Sequence, residues 1–360
     1  MRGLERRLNS ETQLLALLVH RRLIDETKAR EAMASGAIRD WLVRHGVCTE
    51  EQWAAWQRTD GGTRPVLSRY ELGPLLGEGG TARVFSAVDR TDGRKLCLKV
   101  LRAELAKDPA QVESFVREAK LLIELSHPHL VKGYRVAREG ATIFFAMEEL
   151  PGRSLQEDLA ARGRFDETTA LRIVLQVAAA LDALHARGLV HRDVKPGNVL
   201  WSEPRGAVLI DLGFAVPRAK SAAAGGDTTA GTVHYIAPEQ ARGSGELDVR
   251  ADIYALGATL YQLVTGSLPF EGHSSEEVLR KQVLESLSGE RIRALQLSPQ
   301  VHYFIEKMMA KEREIRFQDP QQVQQEIAAF LQAQESQREL EQKAQQGRPR
   351  LGHRRPRPER

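Results

Sequence analysis

Cysteine is nearly absent from this chain: Cys48 and Cys97 are the only two in 360 residues. Two thiols exclude a disulfide framework or a cysteine-built zinc site, and they fit a reducing compartment. Long apolar runs are missing as well, and nothing approaches the roughly 20 residues of a membrane-spanning helix. The apolar run 14–19 behind Arg2, Arg6 and Arg7 meets Arg21 and Arg22 without a small-residue cleavage site. It is also shorter than a secretory core of roughly 7–15 residues, so it reads as an amphipathic helix and the chain as cytoplasmic, with no transmembrane segment. A large charge of either sign is lacking too, the formal net charge being +4. Much of that surplus sits in Arg348, Arg350, Arg354, Arg355, Arg357 and Arg360 against the single acid Glu359. Without interleaved aromatics these arginines read as a disordered Gln/Arg-rich tail over 333–360, and no specific nucleic-acid partner is expected.

What is present is ordinary core material. Hydrophobic residues make up 42% and charged residues 28% of the chain, which suits a soluble protein. A chain of this length suggests two or more globular units. Residues 1–60 hold a short repeat in which 17–26 aligns without gaps on 41–50. Each copy reads as a helix end, a tight turn and a new helix, with Asp25 and Thr49 as N-caps and Thr49 with Gln52 as a capping box. Leu14, Leu17, Leu18, Ile38, Trp41, Leu42, Trp53 and Trp56 supply an apolar face. The module is either a docking element for a partner or a helical extension. Residues 61–69 read as a linker.

From Tyr70 the pattern changes to short strands. A glycine-rich stretch, L-L-G-E-G-G-T-A-R-V at 75–84, is followed by L-C-L-K-V at 96–100, in which Lys99 alternates with Leu98 and Val100. The spacing of Val112, Phe115, Val116, Ala119, Leu122 and Ile123 predicts a helix over 111–125 that carries Glu118 and Glu113. A strand over 141–146 leads to Met147, Glu148, Glu149 and Leu150, and an apolar helix over 171–187 ends at Gly188. Then comes H-R-D-V-K-P-G-N-V-L at 191–200, followed by D-L-G at 211–213. Asp193, Asn198 and Asp211 offer hard oxygens and Lys195 an ammonium, a set suited to holding Mg²⁺ against phosphate. The run 215–230 is rich in small and hydroxyl residues with little to bury. G-T-V-H-Y-I-A-P-E at 231–239, D-I-Y-A-L-G at 252–257 and E-I-R-F at 314–317 follow.

Taken together and in this order, these segments resemble the Hanks-type (eukaryotic-like) serine/threonine protein kinases of bacteria over residues 70–332. The resemblance implies an α+β, bilobal fold: an N-lobe at 70–147, a hinge at 148–152 and a helical C-lobe at 153–332. It implies ATP and Mg²⁺ as cofactors and protein Ser/Thr hydroxyls as acceptors. Asp193 is then the general base, Lys195 stabilises charge on the transferring phosphoryl group, and Asn198 and Asp211 bind the metal. Lys99 pairs with Glu118, with Glu113 the less well aligned alternative. Gly77, Glu78, Gly79 and Gly80 cover the phosphates, and Leu76, Val84, Cys97, Met147, Leu200 and Ile210 enclose adenine, whose polar edge meets the backbone at Glu148 and Leu150. Thr228 or Thr229 is the expected autophosphorylation site, facing Arg192. Thr232 contacts Asp193 and Lys195, Asp252 fixes the H-R-D backbone, and Arg316 pairs with Glu239. Lys195 followed by proline resembles the Ser/Thr subgroup. Two departures, Ala82 for a third glycine and Leu212 for the phenylalanine of D-F-G, leave a nucleotide-binding pseudokinase scaffold as the alternative. The A-P-E segment argues against a small-molecule kinase.

Overall fold

The computed structural model describes residues 11–12, 14–15, 18–19, 24–50, 52–53, 65, 67–212, 216–217, 232–243, 247–287, 293 and 295–346. The Arg-rich tail beyond 346, Leu17, Trp56, Thr228 and Thr229 lie outside them. No described helix is long and apolar enough to cross a membrane. The chain divides into two compact units, residues 1–107 with 137–144, and residues 108–136 with 145–360.

In the first unit, α1 (Glu26–Ala34) and α2 (Ile38–Arg44) belong to a helical module. Leu14, Leu15, Leu18, Ile24, Ala29, Ala32, Ile38, Leu42, Cys48 and Trp53 form its core. The repeat is visible in this core: Leu18 and Leu42, and Ile24 and Cys48, are aligned pairs, and all four are buried. The Asp25 carboxylate accepts from Thr27 N at 2.8 Å. Thr49 and Gln52 close a reciprocal box, with Thr49 N donating to Gln52 Oε1 at 2.8 Å and Gln52 N to Thr49 Oγ1 at 3.1 Å. Trp41, expected on the inner face, is half-buried and stacks on His45 with ring centroids 4.0 Å apart.

The strands β1 (Tyr70–Glu78), β2 (Ala82–Asp89), β3 (Lys95–Leu101), β4 (Gly133–Glu139) and β5 (Thr142–Glu148) form a five-stranded sheet in the order β1-β2-β3-β5-β4. Val84 lies opposite Lys99 in the antiparallel β2–β3 register. Residues 67–69 are anchored, which shortens the expected linker. Leu67 is buried, Ser68 N donates to Glu139 Oε1 at 2.7 Å, and Arg69 grips Asp89 at 2.7 and 2.9 Å. An apolar residue and a fork-shaped cation next to a strand start explain the attachment.

The second unit is helical. Helix α3 (Pro109–Glu124) starts at an Asp108 cap with proline in its first turn. The two-residue strand β6 (Arg153–Ser154) runs into α4 (Leu155–Arg162), whose start is closed by a Ser154–Glu157 capping box. Helix α5 (Glu167–His185) starts four residues before the apolar spacing predicts, because Asp166 caps it by accepting from Thr169 N at 2.9 Å. It stops before Gly188, whose φ of +68° few other residues tolerate. The short strands β7 (Leu189–Val190), β8 (Val199–Ser202), β9 (Gly206–Leu209) and β10 (Val216–Pro217) follow, then the four-residue α6 (Pro238–Ala241). Helix α7 (Val249–Thr265) is the hub. Fifteen of its 17 residues are buried, so it is enclosed on every side, with Asp252, Thr259 and Gln262 as polar groups inside an otherwise apolar surface. It packs against α5 and against α9, and α8 (Ser275–Leu284), α9 (Pro299–Met308) and α10 (Pro320–Gln346) complete the unit. At Gly257 a Cβ would meet Met308 Cβ at 2.6 Å, so glycine lets α7 and α9 close on each other.

Candidate active site

The stretch 191–200 is held from below by α7. Asp252, 1% exposed, accepts His191 N through Oδ2 and Arg192 N through Oδ1, both at 2.8 Å. Burial pushes its carboxyl above the ordinary carboxylate range, while the neighbouring His191 and these two donors pull the other way. The grip bends the loop so far that Arg192 takes φ +71°, in the left-handed region.

The bend presents Asp193, 5% exposed, to two donors. Lys195 Nζ lies 2.8 Å from Oδ2 and 2.9 Å from Oδ1. Asn198 Nδ2 donates at 2.8 Å to Oδ2 and at 2.8 Å to the Asp193 carbonyl. Both neighbours of that amide nitrogen are acceptors, which fixes the orientation of the amide and turns Asn198 Oδ1 away as a hard oxygen donor. Ile210 N donates to Asn198 O at 3.0 Å, so half-buried Asp211 follows directly on the same edge. Among the described residues no three His, Cys, Asp or Glu side chains cluster as a metal cage. Mg²⁺ is ordinarily held by one or two carboxylates together with phosphate oxygens, so one amide oxygen and one carboxylate suit it without such a cage. The arrangement offers a buried carboxylate flanked by a cation, next to oxygen donors, and can act as a base beside a phosphate and metal site.

In the sheet, Lys99 on β3 is 9% exposed and Cys97 6%. Met147 on β5 is buried, Val84 on β2 half-buried and Leu76 on β1 exposed. The glycine-rich turn is tied down at its neck, with Gly79 N donating to Ala82 O at 2.9 Å. In the second unit Glu118 on α3 is 6% exposed, whereas Glu113 is exposed and pairs with Arg117. Strand β5 runs to Glu148, one residue into the expected hinge. Glu148 N donates to Lys132 O at 2.9 Å and its carboxylate accepts from Lys132 N at 2.8 Å, so the acidic side chain is committed to the backbone. Leu150, Leu200 and Ile210 are half-buried.

Residues 70–327 match the family described as the protein kinase domain. The chain belongs to the protein kinase family. It is 41% identical over 226 residues to a probable serine/threonine-protein kinase PknB of Corynebacterium glutamicum, covering 61% of this chain and 35% of that one. It is 36% identical over 259 residues to the serine/threonine-protein kinase PknB of Mycobacterium tuberculosis, covering 70% and 41%. For the serine/threonine-protein kinase PrkC of Bacillus subtilis the identity is 33% over 246 residues, covering 68% and 37%. The chain thus spans about a third to two-fifths of the length of these curated relatives. A solved structure of Rad53 residues 1–466 in complex with AMP-PNP shares the fold, with a TM-score of 0.60 and 24% identity over 71% of this chain and 64% of that one.

Of the remaining kinase positions, Glu239 on α6 and Arg316 form a fork-to-fork pair at 2.7 and 2.8 Å. Leu212 is fully buried, so an apolar side chain fills the place of the D-F-G phenylalanine. Thr232 lies in a single 3-10 turn, and its side chain is outside the described residues. Four residues escaped the sequence reading. Arg102, just past β3, donates to Gly79 O at 3.0 Å and to Glu78 Oε1 at 2.8 Å. Arg83 bonds the same carboxylate, and the two guanidiniums, Arg83 first, hold the Glu78 carboxyl below its usual range. Gln282 on α8 and Lys311 after α9 support the segment leading into α6 from behind. A lone Arg, Gln or Lys after a strand or on a helix reads as solvated surface, and only the three-dimensional partner distinguishes these.

Proposed function

We propose that the chain is a cytoplasmic serine/threonine protein kinase that transfers the ATP γ-phosphoryl group to Ser/Thr hydroxyls of protein substrates. The carrying observation is the Asp193 carboxylate, buried and held between Lys195 Nζ and Asn198 Nδ2. Asp193 orients the acceptor hydroxyl and takes its proton, and Lys195 keeps positive charge beside the same oxygens as the acceptor O–P bond forms and the bond from the γ-phosphorus to the ADP oxygen breaks. Asn198 and Asp211 are the residues that would hold Mg²⁺, which would offset the charge of the phosphates of ATP, the phosphoryl donor. Lys99 positions the nucleotide phosphates under the turn Gly77–Gly80. Leu76, Val84 and Cys97 in the first unit and Met147, Leu200 and Ile210 in the second are the apolar side chains that the kinase reading assigns to the base. Asp252 and the Glu239–Arg316 pair position the loop and the segment before α6. Thr228 or Thr229 is the autophosphorylation site, with Arg192 as the cation that would pair with its phosphate, and residues 1–60 dock a partner protein.

Incubation of the full chain with γ-labelled ATP, Mg²⁺ and a mixed Ser/Thr peptide library tests this reading. Label appears on serine and threonine with the wild type, Asp211→Ala abolishes transfer, and Asp193→Asn lowers it by roughly 10²–10⁴. Near-normal transfer by Asp211→Ala ends the assignment. Peptide mass spectrometry of the same reactions locates the autophosphorylated threonine.

A further inference from the structure

The glycine-rich turn carries an acid where the kinase reading puts polyphosphate. Glu78 stands between Gly77 and Gly79, and a carboxylate turned toward ATP would repel it. The sheet register sends it elsewhere. Gly77, Val84 and Lys99 oppose one another in a row across β1, β2 and β3, and Glu78, Arg83 and Val100 form the next row. Opposed residues share a face and successive residues alternate, so Glu78 and Arg83 lie on the face away from Val84 and Lys99. Arg102, two residues beyond Val100, returns to that far face.

There the three side chains meet. Arg83 Nε donates to Glu78 Oε1 at 3.0 Å, and Arg102 Nη2 donates to the same oxygen at 2.8 Å. Arg102 holds more than the charge. Its Nε donates to Gly79 O at 3.0 Å and its backbone N to Thr81 O at 3.0 Å, while Gly79 N closes on Ala82 O at 2.9 Å. One residue at the end of β3 thus fixes two carbonyls of a turn whose glycines would otherwise leave it loose. The Arg102 side chain is 27% exposed and that of Glu78 43%, so the pair stands within reach of screening salt.

We infer that Arg102 is a positioning residue for the nucleotide phosphates: with Arg83 it keeps the Glu78 carboxylate on the face of the sheet away from Lys99, and it pins the turn at Gly79, so that the turn approaches the polyphosphate without a negative charge. The inference rests on the kinase reading above and names what sets that turn. Its effect scales with the number of phosphates on the nucleotide and leaves the base and the peptide alone.

The test uses the full chain as wild type, Arg102→Met, Arg102→Lys and Arg102→Met combined with Glu78→Gln. Each is titrated calorimetrically with Mg²⁺ and the β,γ-imido analogue of ATP, with Mg·ADP and with adenosine. Methionine keeps an unbranched stem and removes the bonds to Glu78 and to Gly79 O. It raises the Kd for the ATP analogue roughly three- to tenfold, the contribution of one such bond, and that for ADP by less, with adenosine unchanged. Arg102→Lys keeps a cation beside Glu78 but not the fork, so it falls between, and it carries the test if the methionine variant does not fold. Adding Glu78→Gln recovers part of the lost affinity, and added salt narrows the gap between wild type and Arg102→Met. Hydrogen exchange reads the turn without nucleotide: amides at 79–82 exchange faster in Arg102→Met and those at 95–100 do not. Wild-type affinity for the ATP analogue in both single variants overturns the inference, as does adenosine binding that weakens in step with it, or no recovery on adding Glu78→Gln. A wild-type chain that binds neither the ATP analogue nor adenosine removes the kinase reading itself, and this inference with it.

Discussion

Replacing Arg316 by methionine removes a guanidinium whose five N–H groups are all in use. Nε donates to Ala310 O at 2.7 Å. One terminal nitrogen serves Glu239 Oε1 at 2.7 Å and Arg250 O at 3.0 Å, and the other serves Glu239 Oε2 at 2.8 Å and Lys311 O at 3.1 Å. The Arg316 side chain is 0% exposed and that of Glu239 12%, so water cannot take over. Removing one partner of a buried pair costs about 3–5 kcal/mol, and three carbonyls lose a charged donor besides. A domain has about 5–15 kcal/mol in all, so the change consumes a large share of it. At about 2–4 °C per kcal/mol for a chain of this class, the melting midpoint falls by at least about 6 °C. Adding Glu239→Gln removes the stranded charge but leaves Ala310, Arg250 and Lys311 without their donor, so the double variant recovers only part of the loss. Circular dichroism melts of the full chain, the two single variants and the double variant measure this. A fall of less than about 2 °C for Arg316→Met, or complete recovery in the double variant, refutes the count of bonds on which the figure stands.

Three further outcomes follow from contacts already described. Asp252→Asn has one acceptor oxygen where two backbone donors need one each, so the variant loses about 1–3 kcal/mol and most of its turnover; a melt and a labelled-ATP assay check both. Lys311 is lowered to about 8, by burial first and then by Arg316 and Arg242, with Glu285 and Glu312 opposing. Between about pH 8 and the ordinary lysine value near 10.4 the unfolded chain binds a proton that the folded chain has released, so wild type gains stability relative to Lys311→Met as pH rises through that window. Urea titrations at both ends measure the difference, and parallel curves refute it. Thr49→Ala opens the capping box and costs about 1 kcal/mol, read as faster hydrogen exchange at residues 50–53 with the sheet unaffected.

The motifs at 191–200, 211 and 231–239 were legible because metal, phosphate and proton chemistry accept few residue types at fixed spacings. Asp25 and Thr49 were legible because an N-cap is written in the residue itself. Helix α5 began earlier than its apolar spacing because the first turn, Glu167–Thr169, is polar and only the Asp166 bond reveals it. Residues 67–69 passed for linker because their partners, Glu139 and Asp89, lie 71 and 20 residues away in the chain. Arg102 and Gln282 escaped for the same reason, since each acts on a backbone carbonyl and no side-chain pattern records such a target.

Arg192 carries a consequence for how the chain tolerates change. Its φ of +71° is a conformation that costs a residue with a Cβ roughly 1–2 kcal/mol. Glycine escapes that cost and gives back roughly 0.5–1 kcal/mol in chain entropy, while the two backbone bonds to Asp252 stay available. Arg192→Gly is therefore neutral to stabilising for the fold, and arginine persists there against the thermodynamic gradient. A mutational library sorted on abundance retains or enriches Arg192→Gly, whereas the same library sorted on phosphate transfer purges it. Opposite outcomes in those two selections mark a side chain that serves transfer and not the fold.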